Sequence, residues 1–350
     1  MKILYAIQGT GNGHLSRARD IIPLLRKKGD LDILVSGTQA DISLPYTIKY
    51  KYSGMSFVFG KKGGVDLKAT YIKNNISRFI KEIRSFPVED YDLIINDFEP
   101  ISAWAAYLKG KKCISLSHQC AVLSKNAPLP DTKDWLGELI LKNYAPSQLQ
   151  YGFHFATFNK NTYTPVIRQE IRNMEVKNYA HYTVYLPSYS DKKILKVLHS
   201  FEEIRWHVFS KHTKGNAIIK NVSLRPISNR SFIKSMATSE GVLCGAGFET
   251  PAEALFLKKK LLVIPMKNQY EQHCNAAALK AIGVPILKKF KLKQRNYIEK
   301  WLVSDKIVEV AFPDITSDII DMLIQDHLDA LAPKPSLEQH CVTHSIKPLN

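Results

Sequence analysis

The sequence predicts an α/β protein built from two doubly wound, Rossmann-like domains. Two glycine-rich loops, at 9–13 and 245–247, each follow a short apolar run and precede a helical pattern. A strand, a glycine loop and a helix in this order open a parallel βαβ unit. The chain of 350 residues is also too long for one ordinary α/β core and suits two domains of about 150–180 residues.

Residues 1–165 are assigned to the first domain, in which short apolar runs alternate with amphipathic patterns. Bounded apolar runs predict buried strands, whereas apolar residues spaced by three and four predict helices. The predicted strands are Lys2–Gln8, Leu31–Ser36, Tyr91–Asn96 and Lys112–Ser117, and the predicted helices are Leu15–Arg26, Tyr71–Phe86 and Ile101–Leu108.

Residues 166–325 are assigned to the second domain and 326–350 to a C-terminal tail, with the junction between the domains near Thr164–Asn178. The same patterns predict strands at Tyr182–Leu186, Trp206–Phe209, Ala217–Val222, Gly241–Cys244 and Leu261–Pro265. The predicted helices are Lys192–Leu198, Phe232–Met236, Pro251–Leu257, Gln272–Ile282 and Ile315–Leu328.

The charge balance is strongly basic, with 49 Lys and Arg against 32 Asp and Glu and a net charge of +17. Such a charge attracts polyanions, although a generally basic protein without such a partner is the simpler alternative. No nucleic-acid-binding motif accompanies the charge, so no nucleic-acid partner is expected. Residues 49–84 carry nine of the basic residues against two acids, which suggests peripheral contact with an anionic membrane; core packing of the helix within this segment is the alternative.

Composition and cysteine usage favour a globular protein of a reducing compartment. Hydrophobic residues make up 45% and charged residues 23%, which excludes disorder, collagen and coiled coil. The apolar run Ile3–Ile7 is too short for a signal peptide, and no run reaches the roughly 18–20 residues of a membrane span. Five cysteines without a Cys-x-x-Cys pair predict neither a disulfide framework nor a zinc site. We expect a cytoplasmic protein, with placement at the inner face of the cell membrane as an added hypothesis.

The first glycine loop, Gly9–His14, differs from a dinucleotide-binding fingerprint. Its third glycine comes one residue early, and the second predicted strand ends without the acidic residue that would bind a ribose. A tight turn explains the glycines but not a histidine at the start of a helix. A neutral histidine at the carboxyl edge of a sheet is a candidate general base, and His14 is therefore the first candidate catalytic residue.

Asp97 is the candidate partner of His14, because it follows a predicted strand at the same edge of the sheet. An aspartate there can accept the imidazole N–H, fix the tautomer and stabilise the charged ring. The alternative is that Asp97 caps the next helix, which begins near Pro100.

The second glycine loop, at 245–247, leads into a helix whose N-terminus can bind an anion. Thr250 can cap this helix or bind the same anion, and the carboxylate of Glu253 can accept hydrogen bonds from two vicinal hydroxyl groups. Glu271 and Gln272 begin a polar cluster at a later helix start, a composition that suits a sugar.

Taken in order, these motifs resemble those of GT-B glycosyltransferases. The resemblance is to the broad group of UDP-glycosyltransferases and to the bacterial undecaprenyl-muramyl-pentapeptide N-acetylglucosaminyltransferases. It extends from residue 3 to about residue 325 and includes the Gly-x-Gly-His loop, the segment Gly247–Glu253, Pro265 and the spacing Glu271-Gln272-x-x-Asn275. It implies two Rossmann-like domains that face each other across a cleft, with the acceptor on the first and the nucleotide-sugar on the second.

The resemblance also implies roles for individual residues. His14 would deprotonate the acceptor hydroxyl with Asp97 behind it, and no cofactor or metal would be needed beyond the nucleotide-sugar substrate. The implied donor contacts are Ser188, Gly247 and Thr250 at the phosphates, Glu253 at the ribose, and Glu271 and Gln272 at the sugar, while Gly11, Gly13 and His118 lie on the acceptor side.

The expected reaction is inverting, metal-independent transfer of a sugar from a nucleotide diphospho-sugar, UDP-linked, to the hydroxyl of a lipid-linked or glycan acceptor. Nucleotide-sugar hydrolases have a similar Gly-x-Gly-His-x-x-Arg loop, which here is Gly11–Arg17, and nucleotide-sugar 2-epimerases share the architecture. A binding module without turnover is a third alternative. The sequence departs from the pattern of these glycosyltransferases at two places. Glu249 is an acid where an apolar or amide residue is usual, and the tryptophan of the plant signature is missing. For His118, the competing interpretations are a solvated side chain and a histidine whose hydrogen bonds are satisfied within the core.

Overall fold

A computed structural model describes residues 1–37, 44–55 and 75–332 and contains two β-sheets. The first sheet contains β1 Lys2–Gln8, β2 Asp30–Ser36, β3 Tyr50–Tyr52, β4 Leu93–Asp97, β5 Cys113–Ser117, β6 Leu149–Phe153 and β7 Thr162–Tyr163. The second contains β8 Tyr182–Tyr185, β9 Trp206–Ser210, β10 Ala217–Ile219, β11 Val222–Pro226, β12 Gly241–Gly245 and β13 Lys260–Ile264.

Helices connect most of these strands, as expected for parallel sheets. Those of the first half of the chain are α1 Asn12–Arg26, α2 Ile76–Ser85, α3 Pro100–Leu108, α4 Gln119–Val122 and α5 Trp135–Asn143. The later ones are α6 Gln169–Arg172, α7 Asp191–Leu198, α8 Asn229–Thr238, α9 Glu249–Phe256, α10 Tyr270–Ala281, α11 Arg295–Val303 and α12 Thr316–Asp329.

The first sheet is doubly wound, with the strand order β3-β2-β1-β4-β5-β6-β7, and every pair in it is parallel. The strand order reverses between β1 and β4, where Ile7 pairs with Asp97. Ligands of open α/β sheets bind at such a switch point, outside the carboxyl ends of the strands. The topology therefore places the loop after β1 beside the loop after β4.

The second sheet has the order β10-β11-β9-β8-β12-β13 and confirms the second doubly wound unit. One strand prediction was wrong here. The run Ala217–Val222 is not a single strand, because the chain turns at Lys220, which has a φ of 52°, and returns as β11 antiparallel to β10. Lys220 and Asn221 interrupt the apolar residues, and asparagine favours turns, but the prediction of a single strand merged the two.

An apolar contact joins the two units beside the cleft. Phe248, just before α9, packs against Phe155 of the first unit with ring centroids 5.1 Å apart. It also stacks on the imidazole of His118 at 3.8 Å. Burial of these rings fixes the start of α9 against the end of the first sheet.

The last helix, α12, packs against the first unit. Its Ile319, Ile320 and Leu323 belong to the apolar cluster that contains Ile21 and Ile22 of α1. The proposed boundary at residue 165 lies between β7 and α6, and it stays a prediction. The chain therefore passes between the two units twice, once after β7 and once before α12.

Much of the basic segment 49–84 lies outside the described residues, including Lys61, Lys62, Lys68 and Lys73. Within it the structure describes β3 and α2, a helix that begins at Ile76, where the side chain of Asn75 accepts a hydrogen bond from the Arg78 backbone N–H. None of the helices in the described ranges is long and apolar enough to span a bilayer.

Candidate active site

His14 stands in the first turn of α1, directly after the loop that follows β1. Gly11 precedes the helix with a φ of 100°, a conformation that side chains rarely adopt, and this turn directs α1 away from the sheet edge. The imidazole retains 11% of its surface and lines a cavity of about 310 Å³ between the two units. The position predicted for a general base therefore opens onto the cleft.

Asp97, the last residue of β4, is fully buried behind His14. Its Oδ1 lies 2.8 Å from Nδ1 of the imidazole. The alternative role of Asp97 as a helix cap is not the one seen, because Glu99 caps α3 by accepting from the backbone N–H groups of Ile101 and Ser102 at 2.8 and 2.7 Å. With Nδ1–H donated to Asp97, the unprotonated nitrogen of His14 is Nε2, on the cleft side.

Arg17 is the third member of this cluster and has no role in the sequence-based assignment. One turn after His14 on α1, it is 2% exposed and donates from Nη2 to Asp97 Oδ1 and Oδ2 at 2.7 and 2.8 Å. Burial alone would raise the pKa of Asp97, but Arg17 and His14 hold it below its ordinary value. Asp97 is therefore a carboxylate.

The cavity beside His14 is bounded by α5, which the sequence did not predict as a site element, and by Gln119, which follows the predicted acceptor-side residue His118. Four residues of α5, Leu136, Gly137, Ile140 and Leu141, form an apolar wall. Gln119, at the start of α4, lies with Nε2 at 3.4 Å from Nε2 of His14 and donates to Glu271 Oε2 at 3.3 Å. Burial raises the pKa of Glu271, while His14 and Gln119 act in the opposite direction. The cavity thus combines an apolar side with a polar end at His14 and Glu271.

The donor loop lies at the carboxyl edge of the second sheet, where β8 and β12 are neighbours. Ser188 follows β8 and is half-buried, and Thr250 is the second residue of α9. A Cβ on Gly247 would meet no atom within 4 Å, so open space lies above this loop. The side chain of Gln272 is held by the loop before α10, because its Oε1 accepts a hydrogen bond from the Met266 backbone N–H at 2.9 Å.

Glu253 is not open to the cleft, because it is 3% exposed and held by Arg168. Nε and Nη2 of Arg168 donate to its two carboxylate oxygens at 2.5 and 2.9 Å. Burial raises the pKa of Glu253, and Arg168 opposes that rise. Arg168 lies in the connection between the units, where no local pattern in the sequence marked it.

His118 is fully buried and does not line the cavity. Its Nδ1 lies 2.7 Å from the carbonyl oxygen of Phe153, and its Nε2 lies 2.7 Å from Oδ1 of Asn275. Burial lowers its pKa to about 3, so the ring is neutral. The structure shows it joining the first unit to α10, with no surface offered to an acceptor.

No cluster of three or more His, Cys, Asp or Glu with the geometry of a metal site occurs within residues 1–37, 44–55 and 75–332. The four cysteines in those ranges, Cys113, Cys120, Cys244 and Cys274, are free thiols.

Solved structures confirm the architecture. MurG of Acinetobacter baumannii matches with a TM-score of 0.56 at 13% identity, over 93% of this chain and 99% of that one. The UGT2 of Phytolacca americana, solved with UDP-2fluoro-glucose and pterostilbene, matches with a TM-score of 0.55 at 12% identity over 94% of each chain. A UDP-N-acetylglucosamine 2-epimerase matches with a TM-score of 0.51 at 14% identity, over 96% of this chain and 98% of that one. A sequence search of curated proteins finds no match.

The two facing Rossmann-like units and the cleft between them form a GT-B fold. The chain belongs to Glycosyl transferase family 1, because the model of that family matches residues 1–304. The predicted class of enzyme and its fold are thereby confirmed, while the residue roles stay predictions.

Proposed function

We propose that this glycosyltransferase moves a sugar from a UDP-linked donor to an acceptor hydroxyl in one inverting, metal-independent step. The observation that carries the proposal is the pair His14–Asp97, 2.8 Å apart, at the wall of a cavity lined by both units. Nε2 of His14 takes the acceptor proton while the acceptor oxygen bonds to the anomeric carbon. The bond from that carbon to the diphosphate breaks, and its electron pair leaves with the phosphate.

The leaving diphosphate is stabilised in this scheme by backbone N–H groups at the start of α9, with Gly247, Thr250 and Ser188 around it. Glu271 and Gln272 contact the sugar. A UDP donor is favoured because the Phytolacca enzyme of similar fold was solved with UDP-2fluoro-glucose. Glu253 reaches the ribose only after Arg168 shifts, since both its oxygens are engaged.

The experiment that tests this proposal is a screen of UDP-sugars in EDTA, with nucleotide release measured with and without cell lipid extract. A transferase releases nucleotide rapidly only when the extract supplies an acceptor, and the sugar appears on a lipid or glycan. His14→Asn supplies the background rate. Equal release in buffer alone, with free sugar as product, would identify a hydrolase instead. Complete loss in EDTA, restored by Mg²⁺ or Mn²⁺, would contradict metal independence.

A lipid-linked acceptor and peripheral membrane contact are the finer part of the proposal. The exposed face of α2 supports it, because Ile76 and Ile80 are 43% and 42% exposed beside Lys81 and Arg84. These side chains line an open groove of about 690 Å³. Apolar residues flanked by cations suit the interface of an anionic membrane.

Substituting both Ile76 and Ile80 by serine is expected to weaken binding to phosphatidylglycerol vesicles roughly tenfold, since two half-exposed isoleucines lose on the order of 1.4 kcal/mol of apolar transfer. Co-sedimentation measures it, and binding should fall as salt rises. Ile218→Ser, an 83% exposed isoleucine on β10, is the control and should bind normally. Equal binding to phosphatidylcholine vesicles would contradict a contact that depends on anionic lipid.

A further inference from the structure

Glu249 is the acid that the resemblance leaves unexplained, and it crosses the cleft. As the first residue of α9 it belongs to the donor loop, yet its Oε1 accepts from Nη1 of Arg17 in the other unit. It also lies against Gly13, where a Cβ would collide with its carboxylate. The missing side chain of Gly13 is what lets the carboxylate of Glu249 reach this place.

A chain of four side chains results, running from Glu249 through Arg17 and Asp97 to His14. Arg17 is 2% exposed and Asp97 is fully buried, whereas Glu249 keeps 22% of its side-chain surface. Nη2 of Arg17 also lies 3.2 Å from Nδ1 of His14. Charges so close in a water-poor region interact strongly.

Counting these charges shows what Glu249 contributes. The charges of the Arg17 guanidinium and the Asp97 carboxylate sum to zero, so this pair alone stabilises a protonated His14 only slightly. Glu249 adds a second negative charge and leaves the cluster at −1 while the imidazole is neutral. When His14 takes the acceptor proton, the cluster becomes neutral, and a buried cluster without net charge is the less costly state.

We propose that Glu249 and Arg17 are positioning residues through which the donor unit prepares His14 to hold the acceptor proton. The proposal rests on the function proposed for His14. Because Glu249 comes from the second unit and Arg17 from the first, the charge is complete only when the units are together as seen here. The base thus reaches full strength in the same arrangement that closes the cleft.

Other charged groups face His14 and must be held constant in a test. Glu271 approaches from α10 through Gln119, and His118 lies behind and is neutral. Neither contacts Glu249 by a hydrogen bond or ion pair among those seen in the described residues. Through hydrogen bonds and ion pairs, a change at Glu249 reaches His14 by way of Arg17. Besides burial, the charge of Glu249 also raises the pKa of Glu271.

The test is the pH profile of kcat/KM in Glu249→Gln, which keeps an acceptor for Arg17 and removes the charge. The acidic limb is expected to move to lower pH by roughly half a unit to one unit, because the imidazolium loses one favourable charge. The plateau rate should fall, since a weaker base transfers the proton less well. Glu249→Asp restores the charge and should return the limb toward that of the unaltered protein.

Glu299→Gln is the matched control, because it removes the same charge from an exposed pair with Arg295 on α11. Its limb should not move. The ¹³Cε1 resonance of His14, assigned by its loss in His14→Asn, gives a second readout without substrate and should shift in midpoint like the limb. An unmoved resonance in Glu249→Gln overturns the proposal even if no donor is turned over. A moved resonance in a protein without transfer activity contradicts only the proposed function.

Discussion

Replacing His14 by alanine is expected to lower kcat by about 10²–10⁴-fold, the range that loss of a general base costs. Donor binding should persist, because the proposed donor contacts lie on the other unit. In the unaltered protein activity should fall at low pH as the imidazole takes a proton. Steady-state kinetics with a labelled donor and isothermal titration with UDP separate the two effects.

Asp97→Asn tests the partner in the same experiment. The amide keeps the size of the side chain but can donate to Nδ1 of His14, which supports the wrong tautomer and should lower kcat. Gln119→Ala, a change at a neutral neighbour of His14, indicates how far general disturbance of the cavity contributes. Full activity in His14→Ala would end the assignment of the base and direct attention to acids in the cleft such as Glu271.

Replacing Arg168 by methionine is expected to lower the free energy of unfolding by about 3–5 kcal/mol, the cost of leaving a buried charge unpaired. Arg168 and Glu253 have side chains 7% and 3% exposed, so water cannot replace the lost partner. Denaturant unfolding followed by circular dichroism measures the change.

The matched control is Glu299→Met, which breaks the exposed pair with Arg295 and should cost about 0–1 kcal/mol. The double variant Arg168→Met/Glu253→Met should recover most of the loss, because it buries no charge. A single variant as stable as the unaltered protein would mean that Glu253 has another partner or takes a proton at little cost.

The sequence predicted the parts of the site that follow from strand order. His14 follows β1 and Asp97 ends β4, and these strands are neighbours in one parallel sheet, so their proximity was a consequence of topology. Arg17 was also within reach of sequence reasoning, since residues three apart on a helix share a face. Arg17 ends a loop similar to that of nucleotide-sugar hydrolases, but it received no role because its partners Asp97 and Glu249 are distant in the sequence.

The remaining features depend on packing between units, which no local pattern contains. Arg17 and Glu249 are 232 residues apart in the chain, and Arg168 and Glu253 are 85 apart. Glu253 was expected to face the ribose because its helix begins at the donor loop, but a position on a helix does not say which side chain from another element covers it. The apolar wall of α5 was missed altogether, because neither this helix nor the cavity beside it was predicted from the sequence.

The return of α12 to the first unit sets how the enzyme can move. Met322 accepts from the hydroxyl of Tyr163, and Lys112 donates to the Ala330 carbonyl oxygen at 3.3 Å, so the helix is fastened to the first sheet as well as packed on it. The two units are therefore joined by two neighbouring chain connections, one after β7 and one before α12. A body held at two points can swing about the line through them but resists sliding and twisting. We therefore expect the cleft to open mainly by one hinge rotation, which would return Glu249 to the same place beside Gly13 on closure.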